Sequence, residues 1–273
     1  MPTALNSAPP SDERPPHNKM KISIITATYN SEATIADTIH SIDTQTYGDI
    51  EHIIIDGLSS DATLAIVNSS KAPWRQVFCE ADQGLYDAMN KGIARASGDL
   101  IGILNSDDLY VDGDVLDKVA CLFADPNTDA CYADLVYVDK LDTSKIVRYW
   151  KSSPYQNGLF QTGWMPPHPT FFVRRSVYER FGTFDLNYKL AADVELLMRF
   201  IAKEQIRTVY LPEILVKMRI GGATNKSITN ILKQNLEIRS AAIKNGFRLS
   251  PLFLVNKLLV KVPQFFSRPE GAL

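Results

Sequence analysis

Short apolar runs alternate with amphipathic stretches through the first half of the chain. Ile22, Ile24 and Ile25 open a run that closes in Thr26-Ala-Thr-Tyr-Asn30. Runs from 50 to 55, from 76 to 79 and through Ile101, Ile103 and Leu104 behave alike, each ending in turn-forming residues. Runs of this length bounded by turn formers predict buried strands. Between them, apolar residues recur at helical spacing. Ile35, Ile39 and Ile42 form one such face, with Ser31 as the expected cap, and Asp61 is placed to cap a helix through Leu64 and Val67. Leu85, Met89, Ile93 and Ala96 make a third face, and Val115, Leu116, Val119 and Phe123 a fourth. Strand, polar loop and helix in regular alternation predict an α/β protein with a parallel, doubly wound sheet. The polar loops then gather at the carboxyl edge of the strands, where open α/β sheets bind ligands.

After Asp125-Pro126 the regularity loosens. Residues 131–138 and 146–150 predict two strands joined by a charged hairpin, followed by a loop rich in Pro, Gly and aromatics over 152–167. A short strand over 170–173, a helix over 191–202, an extended segment over 209–218 and a helix over 227–245 complete the pattern. Val194, Leu197, Met198 and Ile201 give the first of those helices a core face. Residues 1–20 are proline-rich and weakly hydrophobic, which predicts a disordered tail. We therefore expect one compact domain over 21–250 and an apolar tail over 251–273, packed or membrane-peripheral.

Composition narrows the function. Of 273 residues, 45% are hydrophobic and 22% charged, ordinary values for a globular chain, and a net charge of −2 leaves no electrostatic footprint for nucleic acid. No stretch approaches the ~20 apolar residues of a membrane span, and the N-terminus lacks the apolar core of a secretory signal. Cys79, Cys121 and Cys131 are few and odd in number, which points to a reducing compartment and a cytoplasmic protein. The candidate chemistry begins where the fourth apolar run breaks off in Asn105-Ser106-Asp107-Asp108. Adjacent carboxylates repel, so two at one sheet edge favour a nearby cation or hydrogen-bond donors. Mg²⁺ or Mn²⁺ takes one or two such oxygens together with substrate phosphates. The structural alternative is a solvated turn in which one of the pair caps the next helix.

Seven motifs in order resemble the family 2 glycosyltransferases of the GT-A fold. They are Thr26-Ala-Thr-Tyr-Asn30, Gln45-Thr-Tyr47, Asp56-Gly-Leu-Ser-Ser-Asp-Ala-Thr63, the segment from Asp82 to Gly92, Asn105 to Asp108, His168-Pro-Thr-Phe-Phe172 and Ala192-Asp193. The resemblance implies a Rossmann-like, mostly parallel sheet flanked by helices, with a C-terminal acceptor-side segment and terminal helices. It implies inverting transfer of a sugar from a nucleotide diphosphate-sugar, a UDP-sugar foremost, to a glycan or lipid-linked acceptor, as in bacterial surface-polysaccharide assembly.

Roles carry over by position. Thr28 and Tyr29 border the nucleotide base, Asp56 bonds the nucleoside, and Asp82, Gln83 and Gly84 close over the nucleotide. Asp107 meets the ribose or stands behind the metal, and Asp108 ligates Mg²⁺ or Mn²⁺. Asp193 is the base that an inverting transfer needs opposite the leaving group. His168 and Trp164 face the acceptor. Arg219 and Lys226 flank Gly221-Gly222 in a loop suited to closing over a diphosphate.

The chain departs from the family pattern in three places. Gly57 stands where many relatives have a second aspartate, Ser106 where they have the first acid of an acid-any-acid motif that appears here as Ser106-Asp107-Asp108, and Ala192 where they have a glutamate before Asp193. Lys257 and Lys261 in the apolar tail suit contact with anionic lipid, which would place the enzyme on the inner face of the membrane. Two rival readings are a sugar-1-phosphate nucleotidyltransferase and a nucleotide-sugar-binding protein without catalysis. The first calls for a Gly-rich basic loop after the first strand, which residues 26–30 do not form.

Overall fold

The computed structural model describes residues 20–221, 228–267 and 269. Its first half follows the predicted alternation: β1 (Ile22–Thr28), α1 (Ile35–Asp43), β2 (Ile50–Asp56), α2 (Thr63–Ser69), β3 (Arg75–Cys79), α3 (Leu85–Arg95) and β4 (Leu100–Ile103). Then come β5 (Asp108–Tyr110), α4 (Val115–Leu122), β6 (Ala130–Val138), β7 (Ile146–Trp150), α5 (Leu159–Thr162), β8 (Phe172–Arg174) and α6 (Arg175–Phe181). The chain closes with α7 (Ala192–Leu197), a π-helical turn over Met198–Lys203, β9 (Thr208–Arg219), α8 (Ile228–Lys244) and α9 (Phe253–Lys261).

The strands form one sheet in the order β3-β2-β1-β4-β8-β6-β9-β5, with β7 paired to Leu135–Val138 at the far end of β6. β3, β2, β1 and β4 run parallel. Beyond β4 the sheet is mixed, because β8 enters antiparallel to both β4 and β6, while β6 and β9 pair in parallel. Every residue of β1 is buried, and its side chains feed both faces. Ile25 packs with Ile53, Met89 and Ile93 under α3, whereas Ile22 and Ile24 pack with Leu116 and Val119 under α4. Gly92 allows the close approach of α3, since a Cβ there would lie 2.3 Å from Ile25 Cγ2.

Several local expectations change. α1 begins at Ile35 after Thr34, with no side-chain cap, and Ser31 is not its cap. The Ser31 hydroxyl instead lies 2.9 Å from Ser106 Oγ, tying the loop after β1 to the loop after β4. Leu85 is exposed at the start of α3 and does not join the core face of Met89 and Ile93. Asp61 does act at the head of α2, its Oδ1 accepting from Thr63 N at 3.0 Å. The tail over 251–267 packs rather than trails: Phe253 joins the main core, as do Ile238, Ala241 and Ala242 of α8. Of the segment 1–20 expected to be disordered, Met20 packs against the core beside Ile22 and Ile24, while residues 1–19, like Gly222, Lys226 and the last residues, lie outside the described residues.

A buried histidine under the parallel strands makes the fold acid-sensitive. His52 is fully buried, its Nε2 is 3.0 Å from Thr26 Oγ1, and its Nδ1 accepts from Arg75 Nε at 3.1 Å. Arg75 is itself held by Asp43 and the Ser70 carbonyl. Burial, then the Arg75 charge, pull the imidazole pKa down to about 3. The unfolded chain therefore takes up this proton near pH ~6.5 and the folded chain does not. Stability from this site is full above pH ~6.5 and falls as pH drops toward 3, by up to ~1.4 kcal/mol per unit. Glu51, held down to about 2 by Lys21, Ser23 and Ser97 against the opposing burial, adds its own loss only below its unfolded pKa of ~4.3. Urea midpoints at pH ~6.5 and ~4.5 should therefore lie further apart in wild type than in His52→Gln, whose acid limb is flatter. Equal slopes for the two proteins in that window would remove His52 from the account.

Candidate active site

The carboxyl ends of β1, β2, β3 and β4 meet in one crevice. After β1, Asn30 takes a left-handed conformation, and its Oδ1 accepts from Ser60 N at 2.9 Å. Ser59 Oγ accepts from Asn30 N at 2.9 Å, so the loops after β1 and β2 brace each other. This leaves Tyr29 63% exposed at the edge, a free ring suited to stacking on a base. Thr28 is buried instead, with no partner for its hydroxyl.

Asp56 ends β2 fully buried. Its Oδ1 accepts from Ser59 N at 2.8 Å and its Oδ2 from Ser59 Oγ at 2.6 Å. As placed, the carboxylate shapes the turn rather than opening on the crevice. Gly57 explains the family departure: a Cβ at that position would lie 2.5 Å from Asp82 Oδ2. The Asp82 carboxylate thus occupies the space that a second aspartate would need. Asp82 Oδ1 accepts from Gly84 N at 2.8 Å, and Gly84 at φ +116° makes the turn that a side chain would strain. Gln83 N donates to Asp87 Oδ2 at 2.9 Å, so Gln83 is fixed through its backbone.

The adjacent carboxylates part company. The expectation that Asp108 opens on the sheet edge does not hold: it is the first residue of β5, paired with Met218, and is 0% exposed. Its Oδ2 accepts from Asn105 Nδ2 at 2.9 Å, and its Oδ1 has no partner. Asp107, one residue earlier in the turn, keeps partial exposure. Burial raises the pKa of both, and for Asp108 the neighbouring Asp107 charge raises it further. Arg219 opposes both shifts. It is buried, donates to the Asp107 carbonyl at 2.9 Å and pairs with Asp37. Arg219 is therefore a fixed cation beneath the pair and not part of a free loop.

The donor set fits a divalent cation. An undercompensated carboxylate pair and partnerless buried oxygens on Asn105 and Asp108 lie together. Among the described residues no group of three or more His, Cys, Asp or Glu surrounds one point. A cation here would complete its shell with phosphate oxygens, the usual habit of Mg²⁺.

Asp193 stands in the first turn of α7. Its Oδ1 accepts from Tyr86 OH at 3.0 Å, and its Oδ2 lies 3.3 Å from His168 Nδ1. Tyr86 comes from α3 and His168 from the 3₁₀ turn before β8, so three elements fix one carboxylate that remains 19% exposed. His168 also lies within electrostatic reach of Asp107, which places both acids around it. Tyr86 was missed in the sequence although its motif was read, because 107 residues separate it from Asp193. Glu195 turns away, fully buried against Arg199 and Asn245.

A cavity of about 370 Å³ opens beside Asp193 and His168. Trp164 lines it but is no free stacking platform, being packed against Tyr132, Tyr155 and Phe160 at 5.4–5.9 Å. Lys257 and Lys261 of α9 also line it, Lys257 half-buried and Lys261 exposed at its rim.

This sheet, with its crevice and its facing carboxylate, is the architecture of the GT-A glycosyltransferases. TarS of S. aureus, residues 1–349 solved with UDP-GlcNAc, shares it with a TM-score of 0.66 and 18% identity over 88% of this chain and 70% of that one. A mannosyltransferase, PcManGT from Pyrobaculum calidifontis, solved with GDP-Man and Mn²⁺, matches at 0.62 and 18% identity over 94% of this chain and 74% of that one. The profile of glycosyl transferase family 2 matches residues 23–182, more than half of the sequence, and the chain belongs to that family. A PGL/p-HBAD biosynthesis glycosyltransferase of Mycobacterium bovis (strain BCG / Pasteur 1173P2) is 29% identical over 90% of this chain and 92% of its own length. An uncharacterised glycosyltransferase of Mycobacterium tuberculosis (strain CDC 1551 / Oshkosh) is 34% identical over 65% of this chain and 68% of its own.

Proposed function

We propose that this chain is an inverting glycosyltransferase that moves a sugar from a nucleoside diphosphate-sugar, a UDP-sugar foremost, to an acceptor hydroxyl. The observation that carries the reading is the Tyr86–Asp193–His168 arrangement facing the crevice of Asp107. Tyr29 stacks on the base, and Asp82 supplies the carboxylate for which Gly57 leaves room. Asp107, with the Asn105 side-chain oxygen beside it, would hold Mg²⁺ or Mn²⁺, while Asp108 orients Asn105 from behind. The roles read for Asp107 and Asp108 from sequence order are thereby exchanged. When bound, the cation neutralises the charge of the departing diphosphate. Asp193 takes the proton of the acceptor hydroxyl as the new bond forms on the face opposite the leaving group. Tyr86 and His168 keep the carboxylate aimed at that hydroxyl.

The direct test is donor hydrolysis without acceptor, over a panel of UDP-sugars and GDP-mannose, with and without Mn²⁺. Slow, metal-dependent release of nucleoside diphosphate from one donor is expected. No release from any donor would favour a binding protein without catalysis.

The acceptor we propose is a glycan or lipid-linked glycan. Among the described residues no helix is long and apolar enough to cross a membrane. α9 nevertheless exposes Leu254, Leu258, Leu259 and Val260, and α8 exposes Leu232, Leu236 and Ile243. Such an apolar face suits peripheral contact with a bilayer. Since α9 also walls the cavity and buries Phe253, deleting the tail would damage the fold, and point changes are the cleaner probe. Leu258→Glu with Leu259→Glu should abolish sedimentation with phosphatidylglycerol vesicles; undiminished sedimentation would sink the membrane reading.

A further inference from the structure

The cavity beside Asp193 carries more positive charge than its acids can answer. Arg148 of β7 and Lys257 and Lys261 of α9 line it, and Asp193, already engaged by Tyr86 and His168, is the carboxylate among its lining residues. Arg148 lies over the Tyr137 ring at 3.8 Å and the Phe265 ring at 5.6 Å. Stacking fixes its plane, yet its buried Nε has no hydrogen-bond partner. Lys257 Nζ donates to the neutral Asn235 Oδ1 at 2.9 Å. Burial and the Lys261 charge pull Lys257 down to about 8, and burial and Arg148 lower Lys261. Arg148, Lys257 and Lys261 thus press on one another, Lys151 and Arg219 line the same cavity, and Asp193 is the carboxylate that reaches Lys257 in return. Trp164 Nε1 adds another unpartnered buried donor. The remaining wall is apolar and aromatic, with Trp150 stacked on Tyr137 at 6.3 Å and an interplanar angle of 5°.

We propose that this cavity is the acceptor site and takes an amphiphilic acceptor with a phosphoryl anion, which Arg148, Lys257 and Lys261 hold while its hydroxyl reaches Asp193. The proposal rests on the glycosyltransferase reading for the role of Asp193, and it adds the chemical class of the acceptor. The aromatic wall takes the apolar body, and the cations take the charge. A guanidinium and ammonium groups at one point are the usual means of holding a phosphate. A bound anion also removes the mutual repulsion that the pocket now carries. A neutral sugar would leave Arg148, Lys257 and Lys261 repelling one another with Asp193 alone to answer them.

Trp150 and Trp164 line the cavity and supply the signal. The probe is dodecyl phosphate below its micelle threshold, followed by tryptophan fluorescence. The comparisons are inorganic pyrophosphate, which has the anion alone, and dodecyl maltoside, which has the chain and a neutral sugar. Dodecyl phosphate is expected to bind at least roughly tenfold more tightly than either. Arg148→Gln with Lys261→Gln should weaken it by roughly tenfold or more, and Lys203→Gln, a charge removed at an exposed site elsewhere, should leave it unchanged. Lys261 sits exposed at the end of α9, so Lys261→Gln alone tests the anion site without disturbing the packing of Arg148. Pyrophosphate or dodecyl maltoside binding as tightly as dodecyl phosphate overturns the proposal, as does undiminished binding in the charge variants. Donor hydrolysis needs no acceptor, so its absence would overturn the glycosyltransferase reading while this binding assay still judged the pocket.

Discussion

Asp107→Ala is expected to lower manganese-dependent donor turnover by roughly 100-fold or more, the scale of one lost electrostatic stabiliser. The side chain stands in a turn and is partly exposed, so its removal opens no core cavity. Its backbone carbonyl still receives Arg219, which keeps the turn in place. Loss of Mn²⁺ affinity should accompany the loss of rate, measured by the EPR signal of Mn²⁺ with UDP present. Asp108→Asn is the informative companion. It keeps the shape that faces Asn105 but removes a charge that is buried at 0% exposure. If Asp108→Asn abolishes metal binding while Asp107→Ala keeps it, then the assignment from sequence order was right and the one made from burial is wrong.

Asp193→Asn should depress turnover by roughly 100-fold or more, within the range of a lost general base. The amide preserves the volume and can still accept from Tyr86, but it cannot take a proton. Donor affinity should stay within about twofold, since an interaction made only with the acceptor and the transition state does not enter donor binding. Tyr86→Phe should give a smaller loss of about tenfold, the scale of a hydrogen bond to a charged group. A parallel fall of rate and donor affinity, read by calorimetry, would make Asp193 a donor-binding residue and not the base.

The two assignments differ in how far the sequence could reach. Asp193 was found at the start of a helix, and its helix is there. What sequence could not supply was the reason the carboxylate holds its aim, because Tyr86 and His168 arrive from α3 and from the turn before β8. Asp107 and Asp108 were located together, but their order of importance depends on β5. Three residues are too few to show alternation, and β5 exists because β9 pairs with it. That pairing turns Asp108 inward and leaves Asp107 in the turn. Gly57 is a similar case: it read as a missing contact until the fold brought Asp82 to within 2.5 Å of where its Cβ would be.

The sequence by itself determined the parallel half of the sheet, its helices and the edge where the polar loops collect. Those features follow from local periodicity, and each strand and helix declares itself within about ten residues. Tertiary structure alone decided the mixed half. β8 enters between β4 and β6, and β9 returns beside β6, through pairings distant in sequence that leave no local period. It also decided which way the tail lysines point. In the sequence Lys257 and Lys261 stand in an apolar tail that suits either packing or a lipid surface. Docking of Phe253 into the core fixed the rotation of α9, which set Lys257, half-buried, and Lys261, exposed at the rim, along the cavity beside Asp193, since burying an aromatic ring is worth more than the lysines' choice of side.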